Sequence, residues 1–202
     1  MKRTIICGFL FGTLFVNFYE TQGQVNVLVV YYSERGHTAA LAESVANGAR
    51  SVSVDQVQVK LLSVNEAQPA DVLAADTIII GSPVFNGNVA PPIQTFINSW
   101  PFEGAPLRDK IGAAFVTAGG ISAGEELTQL SILHSMLLYG MIIVGGRDWT
   151  QAFGASAIVD EKPFDEKKEG SIVDFYFLRK GEALGRRVAE LAVKIKCTNS
   201  IK

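Results

Sequence analysis

Apolar and polar positions divide this chain into short apolar runs separated by longer stretches of helical spacing. Val25–Tyr31 (VNVLVVY) is an apolar run of strand length, the pattern of a strand buried on both faces. It breaks at Ser33-Glu34-Arg35-Gly36-His37. Leu41, Val45 and Ala49 then recur at helical spacing between Thr38 and Arg50. Val57–Leu62 predicts a second strand and Asp71–Ala75 a short helix. Thr77–Ile80, closed by Gly81-Ser82-Pro83, predicts a third strand. Pro91-Pro92 opens a helix running to about Ser99, since proline is tolerated in a first helical turn. Ile111–Val116 predicts a fourth strand. Glu125–Tyr139 predicts a helix whose apolar side is Leu127, Leu130, Leu133, Leu137 and Leu138. Gly140 ends that helix, and Met141–Val144 predicts a fifth strand. The last helix spans Phe177–Lys196, with Leu184, Val188, Leu191 and Ile195 facing inward.

Strands alternating with helices imply βαβ units, a parallel sheet and right-handed crossovers. The expected fold class is α/β: a doubly wound, five-stranded parallel sheet of order 2-1-3-4-5. Residues 24–197 form its single domain. The stretch 146–176 reads as a loop-rich excursion near the site, with room for a short extra strand.

The first residues change the picture. Lys2 and Arg3 precede a mostly apolar segment, Ile5–Phe18, and Thr21, Gln22 and Gly23 follow at a plausible cleavage point. Residues 1–23 therefore read as a signal peptide, and the expected location is exported, periplasmic. An uncleaved anchor fits less well, because a bilayer span needs roughly 20 apolar residues. The chain has two cysteines, Cys7 and Cys197; cleavage leaves Cys197 alone, so no intramolecular disulfide is available to the mature domain. Apolar residues make up 48% and charged residues 19%, with a net charge of −2 and no basic run of the kind that draws nucleic acid.

In such a sheet, ligands sit beyond the carboxyl ends of the strands, at the point where the strand order reverses. Three loops occupy that position. Ser33-Glu34-Arg35-Gly36-His37-Thr38 turns from strand into helix, where unpaired N–H groups and the helix dipole favour a phosphate. Taken alone it reads equally well as an N-cap, with Ser33 or Thr38 capping. It matches neither GxGxxG nor GxxxxGK[ST]. Ser82-Pro83-Val84-Phe85-Asn86-Gly87-Asn88 offers a rigid proline, an aromatic ring and two amides, or simply an Asn-Gly turn. Thr117-Ala118-Gly119-Gly120 lets backbone pass close to a flat ligand.

Taken together, YYSERGHT, IIIGSPVFNGNVAPPIQTFI, FVTAGG, EELTQL and YGMIIVGG resemble the flavodoxin-like family. Within it they are most similar to the branch of NAD(P)H:quinone oxidoreductases called WrbA-like. The resemblance covers most of residues 25–195. It implies FMN as cofactor, with its phosphate in Ser33–Thr38 and its ring between Pro83-Val84-Phe85-Asn86 and Thr117-Ala118-Gly119-Gly120. NADH or NADPH would be the donor and a quinone or similar small molecule the acceptor. Export would favour a membrane quinone. The branch tends to form tetramers, so a homo-oligomer is expected on the resemblance alone. Where the branch carries a histidine before Gly-Met, this chain has Tyr139, which can stack and donate a hydrogen bond but has no imidazole; Tyr139 is the candidate catalytic residue. An aromatic lid follows the third helix in that branch, a role open here to Trp100 or Phe102.

His37 and His134 are the only histidines. His134 falls on a helix and reads as packed or half exposed rather than catalytic, and no metal site is expected. The second functional reading is an electron-carrier flavodoxin serving a partner redox protein. Carriers are usually strongly acidic, to steer toward basic partners, and the mild acidity here argues for the enzyme.

Overall fold

A computed structural model describes residues 24–165 and 171–199. The expected signal segment, residues 1–23, lies outside them. In chain order the elements are β1 (Val25–Tyr31), α1 (His37–Arg50), β2 (Val57–Ser63), α2 (Pro69–Ala74), β3 (Thr77–Phe85), β4 (Asn88–Val89), α3 (Pro91–Asn98), β5 (Ile111–Ala118), α4 (Glu125–Leu138), β6 (Ile142–Ile143), β7 (Ala155–Ile158) and α5 (Phe175–Asn199).

The sheet runs β2-β1-β3-β5-β6, all parallel, with β7 also pairing β5 and β4 pairing β3 antiparallel. Counted as principal strands this is the expected 2-1-3-4-5 order. Successive side chains of a strand point to opposite faces. In β1, Val27 and Val29 enter a core with α1 and α5, while Leu28 and Val30 enter a second core with α2, α3 and α4. Strands buried on both faces explain the unbroken apolar runs. On the first face α1 and α5 pack backbone to backbone: a Cβ at Gly48 would overlap the Glu182 carbonyl, and one at Gly185 the Val45 carbonyl.

The structure corrects three expectations. The fifth strand is not one run over Met141–Val144. It is split into β6, beside Ile111 and Gly112, and β7, beside Phe115–Ala118. Between them the chain leaves the sheet edge, closed by a hydrogen bond from Gly146 N to Gln151 O at 2.8 Å. The third strand continues through Phe85 and folds back on β4. Asn86 (φ 52°) and Gly87 (φ 75°) supply the two left-handed residues such a tight hairpin needs. The buried side of α4 is Thr128, Gln129, Ile132, Leu133 and Met136; Leu127, Leu130, Leu137 and Leu138 are exposed. That helix carries apolar residues on both its buried and its exposed sides, so spacing alone did not select a face. Polar Gln129 turns inward because its amide donates to Ala155 O of β7 at 3.0 Å.

Candidate functional site

The carboxyl ends of β1, β3 and β5 deliver their loops to one cleft of about 270 Å3. It is lined by Ser33, Glu34, Arg35, His37 and Thr38 from the first loop, Pro83, Val84, Phe85 and Asn86 from the second, and Thr117, Ala118 and Gly119 from the third. Gly36 and Gly120 stand beside the lining and shape it. Gly36 has φ 87°, a left-handed conformation open to glycine, and a Cβ there would lie 2.9 Å from the Ile172 side chain.

Of the two readings of the first loop, the structure decides against a side-chain cap. Gly36 is the N-cap of α1, and no side-chain cap hydrogen bond closes that end. The Thr38 hydroxyl instead meets the Thr117 hydroxyl at 2.8 Å, tying the start of α1 to the end of β5. Ser33 Oγ is buried with no hydrogen-bond partner. An unpartnered buried hydroxyl is costly unless a ligand completes it. Arg35 stands over this loop, paired with Asp160 at 2.7 Å and largely exposed.

The second loop is held by Ser82, whose hydroxyl accepts from Ala90 N at 3.0 Å and donates to Pro83 O at 2.7 Å. Phe85, 41% exposed, stands at the mouth. The third loop is backed by residues that the sequence pattern did not mark. Val159 lines the cleft, and Asp160 N donates to Gly119 O at 3.1 Å. The Glu161 carboxylate accepts from Ile121 N at 2.5 Å and fills the space a Cβ at Gly120 would need. Only the length of the 146–176 stretch hinted at this contribution. Tyr32 donates to Glu34 at 2.8 Å, and that hydrogen bond, ahead of burial, raises its hydroxyl pKa.

Three candidates are not brought here. α4 starts at the carboxyl end of β5 and runs back to the amino edge of the sheet, so Tyr139 lies against Ile97, Trp100 and Phe102 and not in the cleft lining. Its hydroxyl donates to Ile97 O at 3.1 Å, and burial raises its pKa, so it remains a protonated donor. Trp100 and Phe102 pack on the Tyr139 ring, at 5.4 and 5.6 Å between centroids, and neither forms a lid. His134 is exposed on α4. No group of three or more His, Cys, Asp or Glu residues is placed to hold a metal among the described residues.

The cleft fits the FMN that the resemblance implies. Ser33 Oγ and the amino end of α1 suit a phosphate, with Arg35 as nearby charge. The backbones of Pro83–Asn86 and Thr117–Gly119 suit the edges of a planar ring.

A family model described as NADPH-dependent FMN reductase matches residues 25–155. A protein of Aquifex aeolicus named flavodoxin is 33% identical over 174 residues, covering 81% of this chain and 85% of its own. An NAD(P)H dehydrogenase (quinone) of Methylocella silvestris is 30% identical over 203 residues, covering 84% of this chain and 98% of its own. Among solved structures, a WrbA-like flavodoxin from Agrobacterium tumefaciens superposes with a TM-score of 0.66 at 23% identity. It covers 85% of this chain and 99% of that one, a likeness of fold.

Proposed function

This chain belongs to the NADPH-dependent FMN reductase family, and on that footing we propose that it is an FMN-dependent oxidoreductase passing electrons from NADH or NADPH to a quinone. The carrying observation is the convergence of three loops on one cleft that holds a buried, unpartnered Ser33 hydroxyl. FMN, when bound, would supply the two-electron redox chemistry that links a nicotinamide to the acceptor.

The chain's own part is binding and orientation. Ser33 and the amino end of α1 hold the phosphate, and the Thr38–Thr117 pair keeps the first and third loops in register. Pro83–Asn86 and Thr117–Gly119 line the two sides between which the ring would sit, where their backbone polar groups would be available to its polar edge. Phe85 offers an apolar contact for a nicotinamide or quinone at the mouth. The reaction requires no side-chain nucleophile.

An electron-carrier reading has one support, the Aquifex relative named flavodoxin. An anaerobic absorbance spectrum separates the two. Flavin bands near ~370 and ~450 nm that bleach promptly with NADH or NADPH support the enzyme. Bands that bleach only with a chemical reductant move the reading to the carrier, and failure to retain FMN overturns both.

Two further parts of the proposal rest on other features. Residues 1–23 support an exported location, where a membrane quinone is the suitable acceptor; finding them intact on a cytosolic protein would overturn it. The exposed leucines of α4 support a homo-oligomer, since a two-fold pairing would lay each stripe on its mate.

A further inference from the structure

The outward face of α5 carries features that the cleft does not use. A groove of about 860 Å3 runs between α1, α5 and the edge excursion, and its lining includes Arg147, Arg179, Arg186 and Arg187 with Glu182 and Glu190. None of the four guanidiniums lies within ion-pair distance of a carboxylate among the described residues. They are concentrated on one face of a chain whose net charge is −2.

Exposed aromatic rings adjoin them. Trp149 is 88% exposed, Phe175 66% and Tyr176 48%. The position of Trp149 is built: Asp148 caps its 3-10 turn by accepting from Thr150 N at 2.9 Å. Lys180 fastens that turn to α5 through Thr150 O at 3.1 Å, while its ammonium lies 4.9 Å from the Tyr176 ring. Arg179 stands 5.2 Å over the Phe175 ring. One exposed aromatic is ordinary, but three beside four arginines that have no ion-pair partner among the described residues form a patch. Amphipathic rings next to cations are the chemistry of a bilayer interface, where rings sit among headgroups and cations meet anionic lipid.

We propose that this face, from Trp149 and Phe175 to Arg187, is a peripheral docking surface for an anionic lipid bilayer. No helix among the described residues is long and apolar enough to cross a membrane, so the contact is a surface one. Its aromatic end is also the end near the cleft: Ile172, just before α5, packs against Gly36 of the first loop. Docking there brings the cleft mouth to the bilayer, where a lipid-soluble acceptor partitions; that purpose rests on the quinone reading above, and the lipid contact does not.

The test is sedimentation of the full chain with phosphatidylcholine vesicles, with and without phosphatidylglycerol. Binding is expected only with the anionic lipid, weakening with salt. Removing Arg186 and Arg187 charges (Arg186→Gln with Arg187→Gln) should reduce affinity roughly fivefold per charge. The pair Arg186→Lys with Arg187→Lys should retain it. Of the two tryptophans, Trp100 is 4% exposed, so a blue shift of emission on vesicle binding reports Trp149, and Trp149→Ala should abolish it. FMN content and turnover of a water-soluble quinone should be unchanged in all these variants. Equal binding to neutral vesicles, indifference to charge removal, or capture by acidic proteins without vesicle binding would overturn the proposal. Loss of FMN with vesicle binding intact would overturn the functional reading instead.

Discussion

Ser33 keeps a buried hydroxyl that no protein group satisfies. Ser33→Ala therefore removes nothing the folded chain uses and relieves an unsatisfied hydroxyl, so its melting temperature without FMN should equal or exceed the parent's. FMN affinity should fall about ten- to a hundredfold, the ~1.5–3 kcal/mol of a hydrogen bond to a charged group; fluorescence titration reads it. Tyr139 behaves in the opposite way. Its hydroxyl serves Ile97 O within the second core, so Tyr139→Phe should cost about 1 kcal/mol of stability and leave the NAD(P)H-dependent rate unchanged. A large fall in kcat without loss of stability would return Tyr139 to the chemistry. Both residues could be named from sequence; their roles could not, because a hydroxyl's function depends on which atoms face it.

Helices show where spacing suffices and where it fails. On α5, Leu184 and Val188 are fully buried, as their spacing implies, whereas Leu191 is half-buried and Ile195, near the helix end, is exposed. α4 carries apolar residues on both sides, and the choice fell to the polar bond between Gln129 and β7, a strand distant in sequence. If its leucine stripe seats a second copy, Leu137→Glu with Leu138→Glu should shift the sedimentation coefficient to that of a smaller species while FMN binding persists. The small helix α2 supplies an acid-sensitive contact. Lys60, at 2.5 Å, and then the backbone of Gln68 hold the Asp71 pKa below its ordinary value. A carboxylate depressed in the folded state stabilises it above the unfolded pKa, and that contribution is lost as pH falls through the folded one. Urea midpoints compared at neutral pH and below pH ~4 should fall less for Asp71→Asn than for the parent.

Across the molecule, the cleft is made of loops that meet only when the sheet has formed, so FMN binds the folded state alone. A hundredfold excess of FMN over its Kd should add about 2.7 kcal/mol to stability and roughly 5–10 °C to Tm. A melting curve indifferent to FMN would show that the cleft does not select it. The same assembly pairs Thr38 with Thr117 and brings Asp160 to Arg35, contacts between segments far apart in the chain.

The order of elements, the parallel sheet and the three site loops were legible in local pattern. Strands buried on both faces must be apolar throughout, and loops at their carboxyl ends must supply turns and free N–H groups. The 146–176 stretch was legible as an excursion near the site with room for a short strand, but the pairing of that strand with β5, the Val159–Glu161 contacts, the exposed side of α4 and the distance of Tyr139 from the cleft were not. Each depends on a partner contributed by another element: β5 for the two halves of the edge strand, β7 for Gln129, Ile97 for Tyr139, and the third loop for Glu161. Periodicity records what a segment can bury or bond, and long-range packing chooses which of those options is used.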